Sequence, residues 1–231
     1  MQTDEGLLAQ YYGPCTLKTE VGGGVVRITQ ETLYPFEDTV RFTVHGAGHF
    51  ALRLRIPTWC ACPIITVNSE IERTSGATPG GIAGLTREWR DGDTVTLQLP
   101  SEVRVLRAND GSAALAHGPL LYAHNIAANG TVTHDYGLEG FCDTDYLPVP
   151  GEQWDYTLCL DPAWPSRSGS LVADNAGSGY PWDTPPVALA VTALDSWSIQ
   201  RDLRLIPIGC TLLRRTTFPA VVHASRGGRE R

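Results

Sequence analysis

The stretch Phe50-Ala-Leu-Arg-Leu-Arg-Ile-Pro57 places a large apolar side chain at every second residue. Successive side chains of a β-strand point to opposite faces, so this period predicts a strand with one apolar and one charged face. Pro57 ends the strand because proline has no backbone N–H for a ladder hydrogen bond. The apolar face consists of Phe50, Leu52, Leu54 and Ile56, and the charged face carries Arg53 and Arg55.

The same period recurs on both sides of this stretch, at residues 38–44 and 95–99. Asp91-Gly92 suits a two-residue hairpin turn before the second of them, because glycine accepts a positive φ. Short alternating strands separated by turns are typical of sandwiches, and no window longer than about ten residues has the 3.6-residue period of an amphipathic helix. We therefore predict an all-β chain, an antiparallel, jelly-roll-like β-sandwich, arranged as two packed sandwich modules.

Residues 127–153 are polar and glycine-rich, and we predict no strand there. Strand-like segments reappear after this stretch, at residues 156–160, 170–172, 187–194, 203–208 and 211–218.

Two turn-rich sequences, residues 109–112 and 127–130, suit a boundary between modules. We place the first module at residues 1–126, with its boundary somewhere in 108–127, and the second at residues 127–220. The last residues, 221–231, are rich in arginine and glycine and are expected to form a disordered tail.

The composition argues against two classes of partner. The 231 residues carry 25 acidic and 18 basic side chains, which gives a net charge of −7. Neutralising phosphates needs a basic face, so no nucleic acid is expected as a partner. No stretch approaches the roughly 20 apolar residues of a membrane span, so no membrane is expected either. Residues 1–6 lack the charged-then-apolar layout of a signal peptide, which favours a cytoplasmic location.

Five blocks of the chain carry a resemblance to a known family. The most specific is Leu205-Ile-Pro-Ile-Gly-Cys-Thr-Leu-Leu-Arg-Arg-Thr-Thr-Phe-Pro219, which joins an aliphatic run, a Pro-x-Gly-Cys-Thr turn, two arginines and a closing Phe-Pro. The others follow one another at Leu52–Asn68, Leu85–Leu97, Ala114–Tyr122 and Pro185–Trp197. Together they resemble glycoside hydrolase family 127, which contains the β-L-arabinofuranosidases.

The resemblance implies the region that follows the catalytic (α/α)₆ barrel of that family. The zinc site, the cysteine nucleophile and the acid/base glutamate of the family belong to the barrel, and no residue of this chain matches their motifs. The resemblance therefore implies no catalytic residue, metal ligand or cofactor in this chain, with zinc only in the barrel.

The function implied is that of a non-catalytic C-terminal β-sandwich portion of a β-L-arabinofuranosidase-like enzyme, from a truncated gene or as one half of a split enzyme. Its implied partner is a separately encoded catalytic barrel, which it would support.

Two groups of side chains invite a metal-binding interpretation. Cys60-Ala61-Cys62 is spaced too closely for a zinc knuckle and lacks a second pair, so we interpret both thiols as buried small hydrophobes. Without a secretion signal, all six cysteines are expected to be free and buried. The second group is acidic and consists of Glu139, Asp143, Asp145 and Glu152. We expect these residues to lie in a solvated loop, with a cation or sugar contact as the alternative.

Trp154, Trp164 and Trp182 lie in loops next to proline or aspartate and are the candidate sugar contacts. Each ring could cover a sugar or plug an edge of the sandwich, and plugging is the commoner fate because aromatic rings contribute a large buried area. Sugar contact would favour a stand-alone carbohydrate-binding module for a plant glycan such as arabinan. A scaffold or dimerisation domain is the further alternative, since sandwiches host unrelated functions.

Overall fold

The structure of the protein is a computed structural model, which describes residues 2–3, 6–173 and 179–222. The chain divides into two compact units, Met1–Ser101 and Glu102–Arg231. This division lies before the range 108–127 predicted to hold the boundary, because the turn-rich residues 109–112 connect two paired strands of the second unit. In the part of the chain that the structure describes, no helix is long and apolar enough to cross a membrane.

The first unit contains ten strands in its described residues. They are β1 (Gln2–Thr3), β2 (Gly6–Ala9), β3 (Cys15–Val21), β4 (Gly24–Thr32), β5 (Thr39–His45), β6 (Gly48–Arg55), β7 (Ile64–Val67), β8 (Glu70–Ile71), β9 (Ile82–Trp89) and β10 (Thr94–Gln98). A four-stranded sheet has the order β1-β2-β6-β9, and a six-stranded sheet has the order β3-β4-β5-β10-β7-β8. Neighbouring strands are antiparallel, except that β2 runs parallel to β6.

The period of the opening stretch produces the core of this unit. Leu52 of β6 lies opposite Leu85 of β9, and both side chains are buried. Phe42 and Val95 come from the other sheet and belong to the same apolar core. Burying a side chain of this size contributes about 1.5–3 kcal/mol. The predicted sandwich is thus built by two sheets that bury their alternating apolar faces against each other.

The connection at Asp91-Gly92 passes between the two sheets. The predicted hairpin is therefore wrong, because β9 belongs to the four-stranded sheet and β10 to the six-stranded sheet. Gly92 has the positive φ (87°) expected of the turn, but its N–H donates to the Val44 carbonyl of β5 at 2.9 Å. The turn chemistry is local, whereas the burial of both apolar faces selects the partner strands.

The second unit contains eleven strands and two short 3₁₀ helices in its described residues. The strands are β11 (Val103–Arg107), β12 (Ala113–His117), β13 (Leu120–Asn125), β14 (Ala128–Leu138), β15 (Phe141–Pro148), β16 (Thr157–Leu160), β17 (Ser170–Ala173), β18 (Val187–Leu194), β19 (Gln200–Pro207), β20 (Arg214–Arg215) and β21 (Ala220–Val222). The 3₁₀ helices are Pro165–Arg167 and Ile208–Cys210.

Nine of these strands join into one sheet. Its main order is β11-β12-β13-β19-β18-β16-β21, while β17 also pairs with β18 and β20 with β13. The core consists of fully buried side chains, among them Leu115, Tyr122, Leu158, Leu189, Leu205 and Phe218. The all-β fold class predicted for the chain is confirmed.

β14 and β15 form a separate two-stranded ribbon. Its ladder runs from the pair Ala128 and Pro148 to the pair Leu138 and Phe141, with almost every side chain exposed. The prediction of no strand in this segment is therefore wrong. A ribbon that buries neither face leaves no period of two in the sequence, which is why the pattern missed it.

The end of the chain also differs from prediction. A strand was predicted over residues 211–218, but only Arg214–Arg215 forms one. This short strand follows the 3₁₀ helix at Ile208–Cys210. Within the predicted tail at 221–231, residues 221 and 222 end β21, and residues 223–231 lie outside the described residues.

Candidate functional site

Trp154 lies in the connection between β15 and β16 and is 40% exposed. Its carbonyl accepts a hydrogen bond from the Tyr156 N–H at 3.2 Å. The carbonyl of the preceding residue, Gln153, lies 3.1 Å from Nε2 of His124 on β13. These contacts fix the backbone of the loop while the indole remains open to solvent.

Trp164 is 58% exposed and precedes the 3₁₀ helix Pro165–Arg167. Its backbone N–H donates to Asp161 Oδ1 at 2.9 Å. The Arg167 guanidinium lies over the ring, 5.2 Å from its centroid. A cation in this position covers one face that a sugar ring would need.

Trp182 is half-buried and packs against the 3₁₀ helix Ile208–Cys210. A Cβ at Gly209 would lie 2.6 Å from ring atom Cζ3 of Trp182, so only glycine admits the ring this closely. This packing fits the plugging interpretation. Sugar contact by Trp154, Trp164 or Trp182 stays a prediction.

The structure adds a fourth tryptophan that the sequence reasoning did not select as a site. Trp197 is 72% exposed in the turn between β18 and β19. The Gln153 side-chain amide donates to the Ser196 hydroxyl at 3.3 Å, so the loops that carry Trp154 and Trp197 are in contact. The signal that could have found Trp197 is the sequence Asp195-Ser-Trp-Ser198, since aspartate at the start of such a turn bonds the backbone ahead of it.

A buried carboxylate holds this turn. Asp195 Oδ1 accepts hydrogen bonds from the backbone N–H groups of Trp197 (3.0 Å) and Ile199 (2.9 Å). Oδ2 accepts one from Arg201 Nε at 2.9 Å. Burial by itself would raise the pKa of Asp195, but these hydrogen bonds and the Arg201 charge outweigh it, so its pKa lies below the usual range.

The first unit contains an apolar cavity of about 250 Å³ at the edge of its core. Its lining includes Leu7, Ile28 and Leu52, together with the polar groups of Gln30 and Cys15. The Gln30 amide is already engaged, because its Nε2 donates to the Gly13 carbonyl at 2.5 Å. The cavity therefore offers mainly apolar contact.

The six cysteines are free, but they are not all buried as predicted. Cys60 and Cys159 are buried, and burial raises the pKa of both thiols. Cys62 is exposed because it lies in the irregular segment between β6 and β7, where strand alternation does not apply. Cys15 and Cys142 are also exposed.

The acidic group of the sequence is spread over the ribbon and the loop after it. Asp143 and Asp145 lie on β15, and Asp143 Oδ2 accepts a hydrogen bond from the Tyr136 hydroxyl at 3.0 Å. Glu139 lies between the two ribbon strands, and Glu152 Oε1 accepts one from the Ala127 N–H at 3.3 Å. Among the described residues, no group of three or more His, Cys, Asp or Glu side chains could hold a metal ion.

A family model supports the resemblance drawn from the sequence blocks. Residues 6–101 match the model described as β-L-arabinofuranosidase, GH127 middle domain. The matched range falls within the first unit, Met1–Ser101. No curated protein sequence matches the chain.

Solved structures share the fold of nearly the whole chain. A GH127 β-L-arabinofuranosidase from Geobacillus stearothermophilus T6 is 25% identical with a TM-score of 0.65, over 96% of this chain and 34% of that one. A glycoside hydrolase that is 23% identical shares the fold with a TM-score of 0.65, over 94% of this chain and 36% of that one. A GH127 β-arabinofuranosidase that is 16% identical shares it with a TM-score of 0.63, over 93% of this chain and 34% of that one. The chain thus spans about a third of the length of the solved structures it matches. The resemblance to part of glycoside hydrolase family 127 is confirmed.

Proposed function

We propose that this chain is a non-catalytic β-sandwich portion of a β-L-arabinofuranosidase-like enzyme. The proposal takes the chain as a partial relative of glycoside hydrolase family 127. In this role it supports a catalytic barrel and contributes no reacting group of its own. The observation that carries the proposal is the match of residues 6–101 to the family's middle domain.

The packing of the first unit suits a supporting role. Its two sheets share one apolar core, so the outer faces are held rigidly by the buried side chains beneath them. Several large apolar side chains stay outside that core, including Tyr11 (82% exposed) and Ile71 (73% exposed). Exposed apolar groups of this size are candidates for contact with a partner surface, which here would be the catalytic barrel.

The first experiment measures turnover by the purified chain. We expect no hydrolysis of an aryl β-L-arabinofuranoside, with or without added zinc. Hydrolysis that coelutes with the 25.0 kDa chain in size-exclusion chromatography would overturn the non-catalytic assignment.

The second experiment tests support directly. The chain is coexpressed with a catalytic (α/α)₆ barrel of the family, and we expect the pair to copurify and the barrel to melt at a higher temperature than alone. A Leu52→Asp variant is the matched control, because a buried unpaired charge disrupts the core and should abolish the effect. Equal melting of the barrel with and without the intact chain would reject the supporting role.

Each of two other functions is supported by one specific observation. A stand-alone carbohydrate-binding module is favoured by the exposure of Trp154 and Trp164, and it predicts affinity for plant glycans such as arabinan. A dimerisation domain is favoured by the exposed ribbon side chains Leu138 and Phe141, and it predicts a dimer in light scattering.

A further inference from the structure

One edge of the second unit carries two exposed indoles on loops that touch. Trp197 is 72% exposed and Trp154 is 40% exposed. The 3.3 Å hydrogen bond from Gln153 Nε2 to the Ser196 hydroxyl joins the residues directly before them. The two exposed tryptophans are therefore carried by adjoining loops, which we call the indole edge, defined by residues 153–155 and 195–197.

The turn that carries Trp197 is closed by a set of backbone and side-chain hydrogen bonds. Its backbone closes through Ser198 N–H to the Asp195 carbonyl at 2.9 Å and Asp195 N–H to the Ile199 carbonyl at 3.0 Å. Ser198 has φ 62°, a left-handed conformation that is unfavourable for a residue with a Cβ. Three hydrogen bonds to the buried Asp195 carboxylate stabilise this geometry. The result is a large apolar ring exposed to solvent on a turn that hydrogen bonds stabilise, and this ring contributes little to the packing of the core.

The loop that carries Trp154 is anchored in the same way. Besides the His124 contact to the Gln153 carbonyl, the Glu152 carboxylate accepts the Ala127 N–H at 3.3 Å. His124 also meets the Tyr156 ring edge-on, with centroids 5.2 Å apart. Rigid presentation of an aromatic ring lowers the entropy lost when a ligand binds to it.

Polar groups border the two rings. Asp155, next to Trp154, pairs with Arg215 across 3.4 Å and is largely exposed. The Ser196 hydroxyl and the Gln153 amide lie between the two loops. A sugar presents an apolar C–H face together with hydroxyl groups at its rim, so it needs aromatic faces flanked by carboxylate, guanidinium, amide and hydroxyl groups.

We propose that the indole edge is a binding site for a neutral oligosaccharide, with sugar rings stacked on Trp154 and Trp197 and hydroxyl groups bonded to Asp155 and Arg215. A protein-docking patch is less favoured, because the apolar core of a protein interface is depleted in charged residues and the Asp155–Arg215 pair lies beside Trp154. This site is independent of the supporting role and would add glycan contact to it.

The test uses the full chain and three defined probes: arabinotriose, xylotriose and cellotriose. The six tryptophans give indole N–H signals in two-dimensional NMR, which are assigned from single Trp→Phe variants. We expect at least one trisaccharide at millimolar concentration to move the Trp154 and Trp197 signals while leaving that of buried Trp89 in place.

Calorimetry with the same sugar measures the contribution of each ring. Trp154→Ala and Trp197→Ala should each weaken the Kd by about three- to tenfold. Tyr180→Ala is the matched control, since Tyr180 is an aromatic residue of the same unit that is 64% exposed but lies in the connection between β17 and β18, and it should leave the Kd unchanged. Circular dichroism confirms that each variant is folded.

Three results would overturn the site. They are the absence of any shift with all three sugars, an equal loss of affinity in Tyr180→Ala, and sugar-free self-association that Trp197→Ala abolishes, which would mark a protein interface. None of them bears on the supporting role, which is measured by copurification and melting of the barrel.

Discussion

The Trp89 indole donates its Nε1–H to the Phe50 carbonyl at 3.0 Å, and the two rings stack with centroids 5.8 Å apart. The contact joins the end of β9 to β6, the strand formed by the opening alternating stretch. It is buried, with Trp89 only 1% exposed.

Trp89→Phe should therefore lower the free energy of unfolding by about 2–4 kcal/mol, from the lost hydrogen bond and the space left by the smaller ring. Urea titration followed by circular dichroism measures the change. Trp197→Phe is the control and should be nearly silent, because its ring is exposed. Equal effects of the two substitutions would contradict the buried position of Trp89.

The Asp195 carboxylate makes stability depend on pH. Because its folded pKa lies below the usual value of about 4, its contribution is fully present above that pH and is lost as the pH falls through the folded pKa. Asp195→Asn should lower the midpoint of urea unfolding at pH 7, and the difference from the unsubstituted protein should shrink below about pH 4.

Asp145→Asn is the matched control for this titration, because it removes an exposed carboxylate from β15. It should leave the unfolding midpoint close to that of the unsubstituted protein at pH 7. A difference for Asp195→Asn that grows as the pH falls would contradict the assigned direction of its pKa.

The cysteines should react in an order set by burial. Cys15, Cys62 and Cys142 are exposed and should react quickly with an aromatic disulfide reagent at pH 8. Cys60 and Cys159 should react only after unfolding, because burial excludes the reagent and raises the pKa of the thiols, which lowers the fraction of reactive thiolate. Mass spectrometry of the labelled peptides measures the order. Rapid labelling of Cys60 in the folded protein would contradict it.

The tip of the ribbon should contribute little to stability. Leu138 and Phe141 are 64% and 66% exposed, so Leu138→Ser and Phe141→Ser should each change the free energy of unfolding by less than about 0.5 kcal/mol. Phe42→Ser in the core is the contrasting variant and should cost at least about 3 kcal/mol. Light scattering on the same samples tests dimerisation, which would decrease in both ribbon variants if the tip were the interface.

Much of the fold could be predicted from local pattern. Phe50, Leu52 and Leu54 are buried on β6 as their alternation predicts, and Val187–Leu194 forms β18 with the predicted bounds. Alternation is readable because a strand with one buried face repeats its apolar residues every two positions. The ribbon could not be predicted because it buries neither face.

The candidate site was only partly accessible to sequence reasoning. Proline and aspartate neighbours identify Trp154, Trp164 and Trp182 as loop tryptophans, but they do not distinguish a packed ring from an open one. Trp182 packs on Gly209, which is 27 residues away in sequence, and the Trp154 and Trp197 loops meet through a hydrogen bond spanning 43 residues. Contacts of this range leave no local pattern in the sequence.

The sequence by itself determined the all-β class, the strands that bury one apolar face, such as β6 and β18, and the resemblance to part of one hydrolase family. Only the tertiary structure decided which strands pair, so that Asp91-Gly92 links two sheets where a hairpin was predicted. It also decided which tryptophans remain open. The physical reason is that side-chain direction follows from backbone geometry within a few residues, whereas pairing and exposure depend on how distant apolar faces are buried together.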